Sequence, residues 1–163
     1  MSGDSGLMAL HRLVWTALLA ALVAVGAYLH LPLGPLPFSL QPFFVLMAGF
    51  ILGPGGGALA LALYLGAGTL GLPVFTGGGA GLAHLLGPSG GFLLGFLPMA
   101  WLAGLANRPG GAASLSWLRG LAWGLAGILV MYLLGVVRLQ MVLGLPWGKA
   151  WAVGFLPFIP GDL

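Results

Sequence analysis

From Leu13 to Asn107 no side chain of this chain carries a formal charge. A stretch of that length cannot present a water-facing surface. In lipid every backbone N–H and C=O must be bonded within the protein, which leaves helices or closed barrels. The apolar runs here are helix-length, so the expectation is an all-α integral membrane protein. The rest of the chain adds little charge. Arg12, Arg108, Arg119, Arg138 and Lys149 oppose Asp4 and Asp162, giving 4% charged and 60% hydrophobic residues. A soluble domain carries about 25% charged residues. The five cations form no cluster, which disfavours nucleic acid as a partner. The absence of cysteine excludes disulfides, thiolate zinc sites and thiol catalysis. The first apolar run is too long for a signal peptide and lacks an Ala-x-Ala cleavage site, so it is read as a mature span.

Glycine and proline then divide the chain, read as one membrane-embedded domain over residues 1–163. Leu7–Leu31 is the first span, with Arg12 and His30 about 27 Å apart along a helix. LPLGPLPFSLQP follows as an extended loop. A second helix starts near Gln41, with Pro42 in its first turn, and ends at Gly53–Gly57. Gly57–Leu72 is a short third helix, Gly90–Ala106 a fourth and Trp117–Met141 a fifth. Arg119 and Arg138 lie about 28 Å apart on the fifth and can snorkel to opposite interfaces. Trp147–Phe155 is too short to span and reads as an interfacial or re-entrant helix. PGD at 160–162 announces a sixth helix with Asp162 near its N-cap, and the given chain stops at Leu163.

The charge balance places the N-terminus inside, with Arg12, Arg108 and Arg119 on that side. The three long Gly/Pro-rich loops, Leu31–Leu40, Pro73–Ser89 and Val142–Gly161, then share the outer side. Irregular backbone at a membrane is tolerated where it is buried in protein or lines a cavity. The expectation is a lidded pocket opening outward.

Residues able to bind are few. TGGGAG (Thr76–Gly81) and GPSGG (Gly87–Gly91) can cradle a ligand by backbone N–H groups, or serve as a connector. No GK[ST] follows and no lysine is near, which disfavours a phosphate loop. Asp162 is an acid beside an apolar run, functional by default in a membrane, or a simple cap. Gln41 can bind or cap. His84 in the Gly-rich loop reads as a packed or interfacial residue. Ala17/Ala21 and Ala20/Ala24 are overlapping small-xxx-small pairs that fit a partner helix or internal packing. No metal spacing and no Ser/His/Asp set exist, so the chain is not read as an enzyme and no cofactor is expected.

The ordered set GPLPFSLQPFFVLMAG (34–49), LGPGGGALALALYL (52–65), GLPVFTGGGAGLAHLLGPSGGFLLGF (71–96), YLLGV (132–136) and LPFIPGDL (156–163) resembles BioY, the biotin-specific S component of energy-coupling factor (ECF) transporters. The resemblance implies a six-helix bundle with a vitamin site near the outer face. It implies a transmembrane coupling subunit and two cytoplasmic ATPase subunits as partners, in the cell membrane. It also implies that the first helix docks the coupling subunit through Ala17, Ala20, Ala21 and Ala24. The family pattern is PGDxxK. Asp162 matches it; the lysine and the sixth helix are missing from this chain, and continuation past Leu163 is expected. On this reading Asp162 accepts from the biotin ureido N–H groups. Gln41 or the backbone of Gly77, Gly78, Gly79 and Gly91 donates to its carbonyl. Phe75, Phe92 and Tyr132 form an apolar wall. Lys149, Arg138 or the missing lysine would meet the carboxylate. The alternatives are an S component for another vitamin and a structural membrane protein without a ligand.

Overall fold

The structure, a computed structural model, describes residues 2–33, 36–107 and 117–154. Among them are six α-helices: α1 (Ser2–Tyr28), α2 (Gln41–Thr69), α3 (Gly81–Leu86), α4 (Gly90–Gly104), α5 (Trp117–Leu143) and α6 (Trp147–Gly154). The segment expected as an extended loop pairs with itself instead. β1 (His30–Leu33) and β2 (Leu36–Ser39) form an antiparallel ribbon, with His30 opposite Ser39 and Leu33 opposite Leu36. Pairing satisfies backbone groups that a lone extended segment would leave to lipid.

The segment α2 is two helices joined at a kink. Gly53 has φ 74° and ψ −178°, and Pro54 follows. In a straight helix Gly49 and Gly57 would stand about 12 Å apart. Here a Cβ on Gly57 would lie 2.9 Å from Gly49 Cα. Gln41 at the start of α2 bonds Tyr64 near its end. The arms 41–52 and 54–69 are therefore antiparallel neighbours, as the GPGGG motif led us to expect. The second arm starts at Pro54 rather than Gly57 and ends at Thr69 rather than Leu72. The reason is that Gly53 makes the reversal by itself, Pro54 suits a first helical turn, and Gly71 takes φ +107°.

Three stretches are long and apolar enough to cross a membrane: Gly6–Tyr28, Gln41–Thr69 and Trp117–Leu143. Because Gln41–Thr69 doubles back, its arms are only about 18 and 24 Å long, against about 40 Å for α1 and α5. α4 packs between α2 and α5 on glycine contacts. A Cβ on Gly49 would lie 2.3 Å from Ala100 O, one on Gly104 2.3 Å from Pro54 N, and one on Gly95 2.8 Å from Met131 Cα. Close backbone approach on small residues is how helices attract each other where lipid competes for every apolar side chain. The core between them holds Leu61, Leu93, Phe96, Met99, Met131 and Leu139. α1 lies along α2 through Leu19, Val23 and Ala27 and leaves Leu10, Val14, Leu18 and Val25 exposed.

Candidate ligand site at the loop end of the bundle

The Gly-rich loop leaves α2 at Leu70 and returns at once to the bundle. Among residues 71–89 only Phe75 is buried. Its ring meets Tyr64 edge-on (5.7 Å, 79°) and stacks on His84 (5.3 Å, 21°). Gly68 makes room for it, since a Cβ there would lie 2.2 Å from the ring. Phe75 N donates to Gly79 O (3.0 Å), closing a tight turn in which Gly77 and Gly78 have φ +71° and +76°. Only glycine takes that conformation without strain. Gly79 faces His84, whose Nδ1 would be 2.3 Å from a Cβ at that position.

Polar side chains of the helices hold the same few residues. Gln41, 2% exposed, donates from Nε2 to Tyr64 Oη (2.5 Å). Its Oε1 accepts from Thr76 Oγ1 (2.9 Å) and Ser39 Oγ (3.1 Å). Tyr64 Oη donates on to Val74 O (3.0 Å). Tyr28 Oη donates to Pro73 O. So α1 and both arms of α2 each grip the loop within 73–76. The capping alternative for Gln41 gives way: no side-chain cap bond forms at the start of α2, and the amide turns inward instead. One Nε2–H remains beyond the bond to Tyr64, since a primary amide has two donors.

Tyr64 was not singled out from the sequence, although a lone tyrosine in ALALALYL was a visible signal. Tyr64→Phe keeps the ring and removes the hydroxyl. Gln41 Nε2 and Val74 O then lose their partner, at about 1–3 kcal/mol for each stranded group. The expected outcome is lower thermal stability in detergent and faster hydrogen exchange at 73–76, read by mass spectrometry.

The second half of the loop rests on its own contacts. His84, stacked on Phe75, has Nε2 3.5 Å from Ser89 Oγ. Burial pushes its pKa below the usual 6.5. The neutral ring is thus the folded form, and the stability it contributes is lost as pH falls below about 6.5. Arg138 on α5 donates to Leu86 O, the last carbonyl of α3. Of the two described cations considered for a ligand carboxylate, Arg138 is thereby engaged, and Lys149 is exposed on α6.

Gly91, Phe92 and Tyr132 come together beside this cluster rather than within it. Phe92 meets Tyr132 edge-on (6.1 Å, 87°). Gly91 is buried at the α4–α5 crossing, where a Cβ would lie 2.4 Å from Leu134 O. α6 covers them, with Gly154 near Val136, Leu139 and Phe92. The alanines of α1 divide. Ala17 and Ala21 are exposed, whereas Ala20 and Ala24 are half-buried against the core. Asp162 and the PFIP run lie outside the described residues.

The family model described as BioY family matches residues 2–163. The probable biotin transporter BioY of Pyrococcus horikoshii is 42% identical over 90% of this chain and 84% of its own length. The biotin transporter BioY of Thermotoga maritima is 41% identical over 94% of this chain and 88% of its own. A crystal structure of the S-component for biotin from an ECF-type ABC transporter superposes with a TM-score of 0.86 at 29% identity, covering 99% of this chain and 86% of that one. Agreement over nearly the whole length, in sequence and in the course of the helices, means that the chain belongs to the BioY family.

Proposed function

We propose that the chain is the biotin-binding membrane subunit of an ECF-type vitamin transporter, taking biotin at the loop end of the bundle. One observation carries this reading to a place in the molecule. A Gly-rich loop is fastened across one end of a helical bundle by Phe75 and by the Gln41–Tyr64–Thr76 network, with one amide N–H of Gln41 left over. Biotin offers that place a ureido carbonyl to accept, two ureido N–H donors, an apolar thioether ring and a carboxylate tail. Gln41 and the backbone N–H groups of Gly77 and Gly79 suit the carbonyl, that of Gly78 being bonded to Phe75 O, while Phe92 and Tyr132 suit the ring and Asp162 suits the N–H pair.

The chain contains no GK[ST] phosphate loop, and on this reading ATP hydrolysis falls to two cytoplasmic ATPase subunits, joined to the chain through a transmembrane coupling subunit in the cell membrane. Ala17 and Ala21, on the outward face of α1, are the smooth surface offered to the coupling subunit. The family is one of transport subunits.

The test is titration of the purified protein with biotin, thiamin and riboflavin, read by thermal unfolding. A ligand at a hundred times its dissociation constant adds about 2.7 kcal/mol of stability. Biotin alone is expected to raise the melting temperature. Hydrogen exchange across 77–89 should slow at the same concentrations, because glycine backbone has the most entropy to lose on ordering. Stabilisation by another vitamin would assign the site to that vitamin, and no response to any would remove the ligand site.

A further inference from the structure

At the opposite end of the bundle, α1 and the turn of α2 enclose an open pocket of about 330 Å³ lined by His11, Arg12, Trp15, Ile51 and Leu52. Nothing in the biotin reading uses it. Its polar side-chain groups are donors apart from His11 Nε2, which accepts within the pocket. Trp15 Nε1 donates to His11 Nε2 (2.9 Å), so a neutral His11 carries its proton on Nδ1. The Arg12 guanidinium has no side-chain partner among the described residues and adds five donors. Within the pocket no acid offsets it. The other walls are Ile51, Leu52 and the Trp15 ring, with Ile51 47% exposed.

Guanidinium with donors on a polar rim fits a phosphate anion. Apolar walls give nothing to a free phosphate. They continue into the outward face of α1 that also carries Ala21, where Val14, Leu18 and Val25 are 55%, 46% and 52% exposed, a face open to lipid while no coupling subunit is docked. Trp15 lies at the middle of α1, beside Ile51 and Leu52 where the first arm of α2 ends, and its indole supplies an amphipathic wall of the kind found at the membrane interface. We infer that this pocket binds the headgroup phosphate of an acidic phospholipid, with its acyl chains running along α1.

Native mass spectrometry of the full chain, released from neutral detergent, tests this. The probes are phosphatidylglycerol, phosphatidylcholine and glycerol 3-phosphate. One interfacial cation favours an anionic lipid about fivefold. Phosphatidylglycerol should therefore bind about fivefold tighter than phosphatidylcholine, and Arg12→Gln should abolish the difference. Arg119→Gln, an exposed cation at the same end of the bundle, should leave it unchanged. Equal binding of the two lipids, equal losses in the two variants, or binding of glycerol 3-phosphate as tight as the lipid would overturn the assignment. Unchanged thermal unfolding of Arg12→Gln in detergent alone serves as the folding control.

Discussion

Leucine in place of Gly49 is expected to leave no folded protein in detergent. Three chain segments meet at this residue. A single added carbon would stand 2.3 Å from Ala100 O, 2.8 Å from Ala103 Cβ and 3.1 Å from Gly104 N. Two of these are backbone atoms of α4, which cannot swing aside as a side chain can. The second arm of α2 presses from another direction through Gly57. Overpacking one helix contact costs about 1–3 kcal/mol, occasionally more. Here several contacts fail together, against a total stability of only about 5–15 kcal/mol. The contrast is Gly66→Ala, where a Cβ meets nothing within 4 Å and helix propensity rises. That variant should be as stable as the parent or better by up to about 1 kcal/mol. Size-exclusion profiles and thermal unfolding report both. A monodisperse Gly49→Leu protein melting within a few degrees of the parent would refute the three-way contact.

Asp162→Asn is expected to weaken biotin binding roughly 10- to 1,000-fold. The argument rests on the proposed function, since this residue lies outside the described ones. A carboxylate accepts from both ureido N–H groups. Asparagine keeps the size but loses the charge and turns a donor toward a donor. A charge-assisted hydrogen bond contributes about 1.5–3 kcal/mol, and a mismatched buried donor costs a comparable amount, at 1.4 kcal/mol per decade of affinity. Folding should survive, because asparagine also caps helices well. Biotin titration with a parallel melting curve distinguishes the outcomes. Undiminished affinity with normal melting would remove Asp162 from the site and return the ureido group to Gln41 and the loop.

How much of this was readable from the residues depended on range. The reversal at Gly53 was legible because GPGGG is local chemistry: a left-handed glycine and a proline fit for a helix start. The close packing of α4 was not legible position by position. Nothing in GGFLLGF distinguishes Gly91 and Gly95, both pressed against α5, from a flexible residue. The Gln41–Tyr64 bond spans 23 positions and exists only once the arms are in register. Gln41 could be flagged as a lone amide in an apolar region, but its partner could not be named. The ribbon at 30–39 was hidden by its prolines, which signal extended chain without saying that the chain pairs with itself. Arg138 read as a free cation because its acceptor, Leu86 O, is a backbone atom on a distant helix. Family resemblance supplied the ligand, where residue chemistry alone offered a cradle without an occupant.

The doubled-back α2 bears on the lipid as well as on the protein. Its arms and α4 reach only about 18 to 24 Å, beside two helices of about 40 Å. A bilayer with a hydrocarbon core of about 30 Å is thus met by an uneven solute, too short in the middle, where α2 and α4 pack, and too long at α1 and α5 on either side. The long helices can tilt, while the short middle draws the leaflets together or hides its deficit under the loop and ribbon. Each ångström of mismatch costs a fraction of a kcal/mol. The acyl-chain length of the host membrane thereby enters the free energy of every state this protein adopts, as a mechanical load carried through one glycine turn.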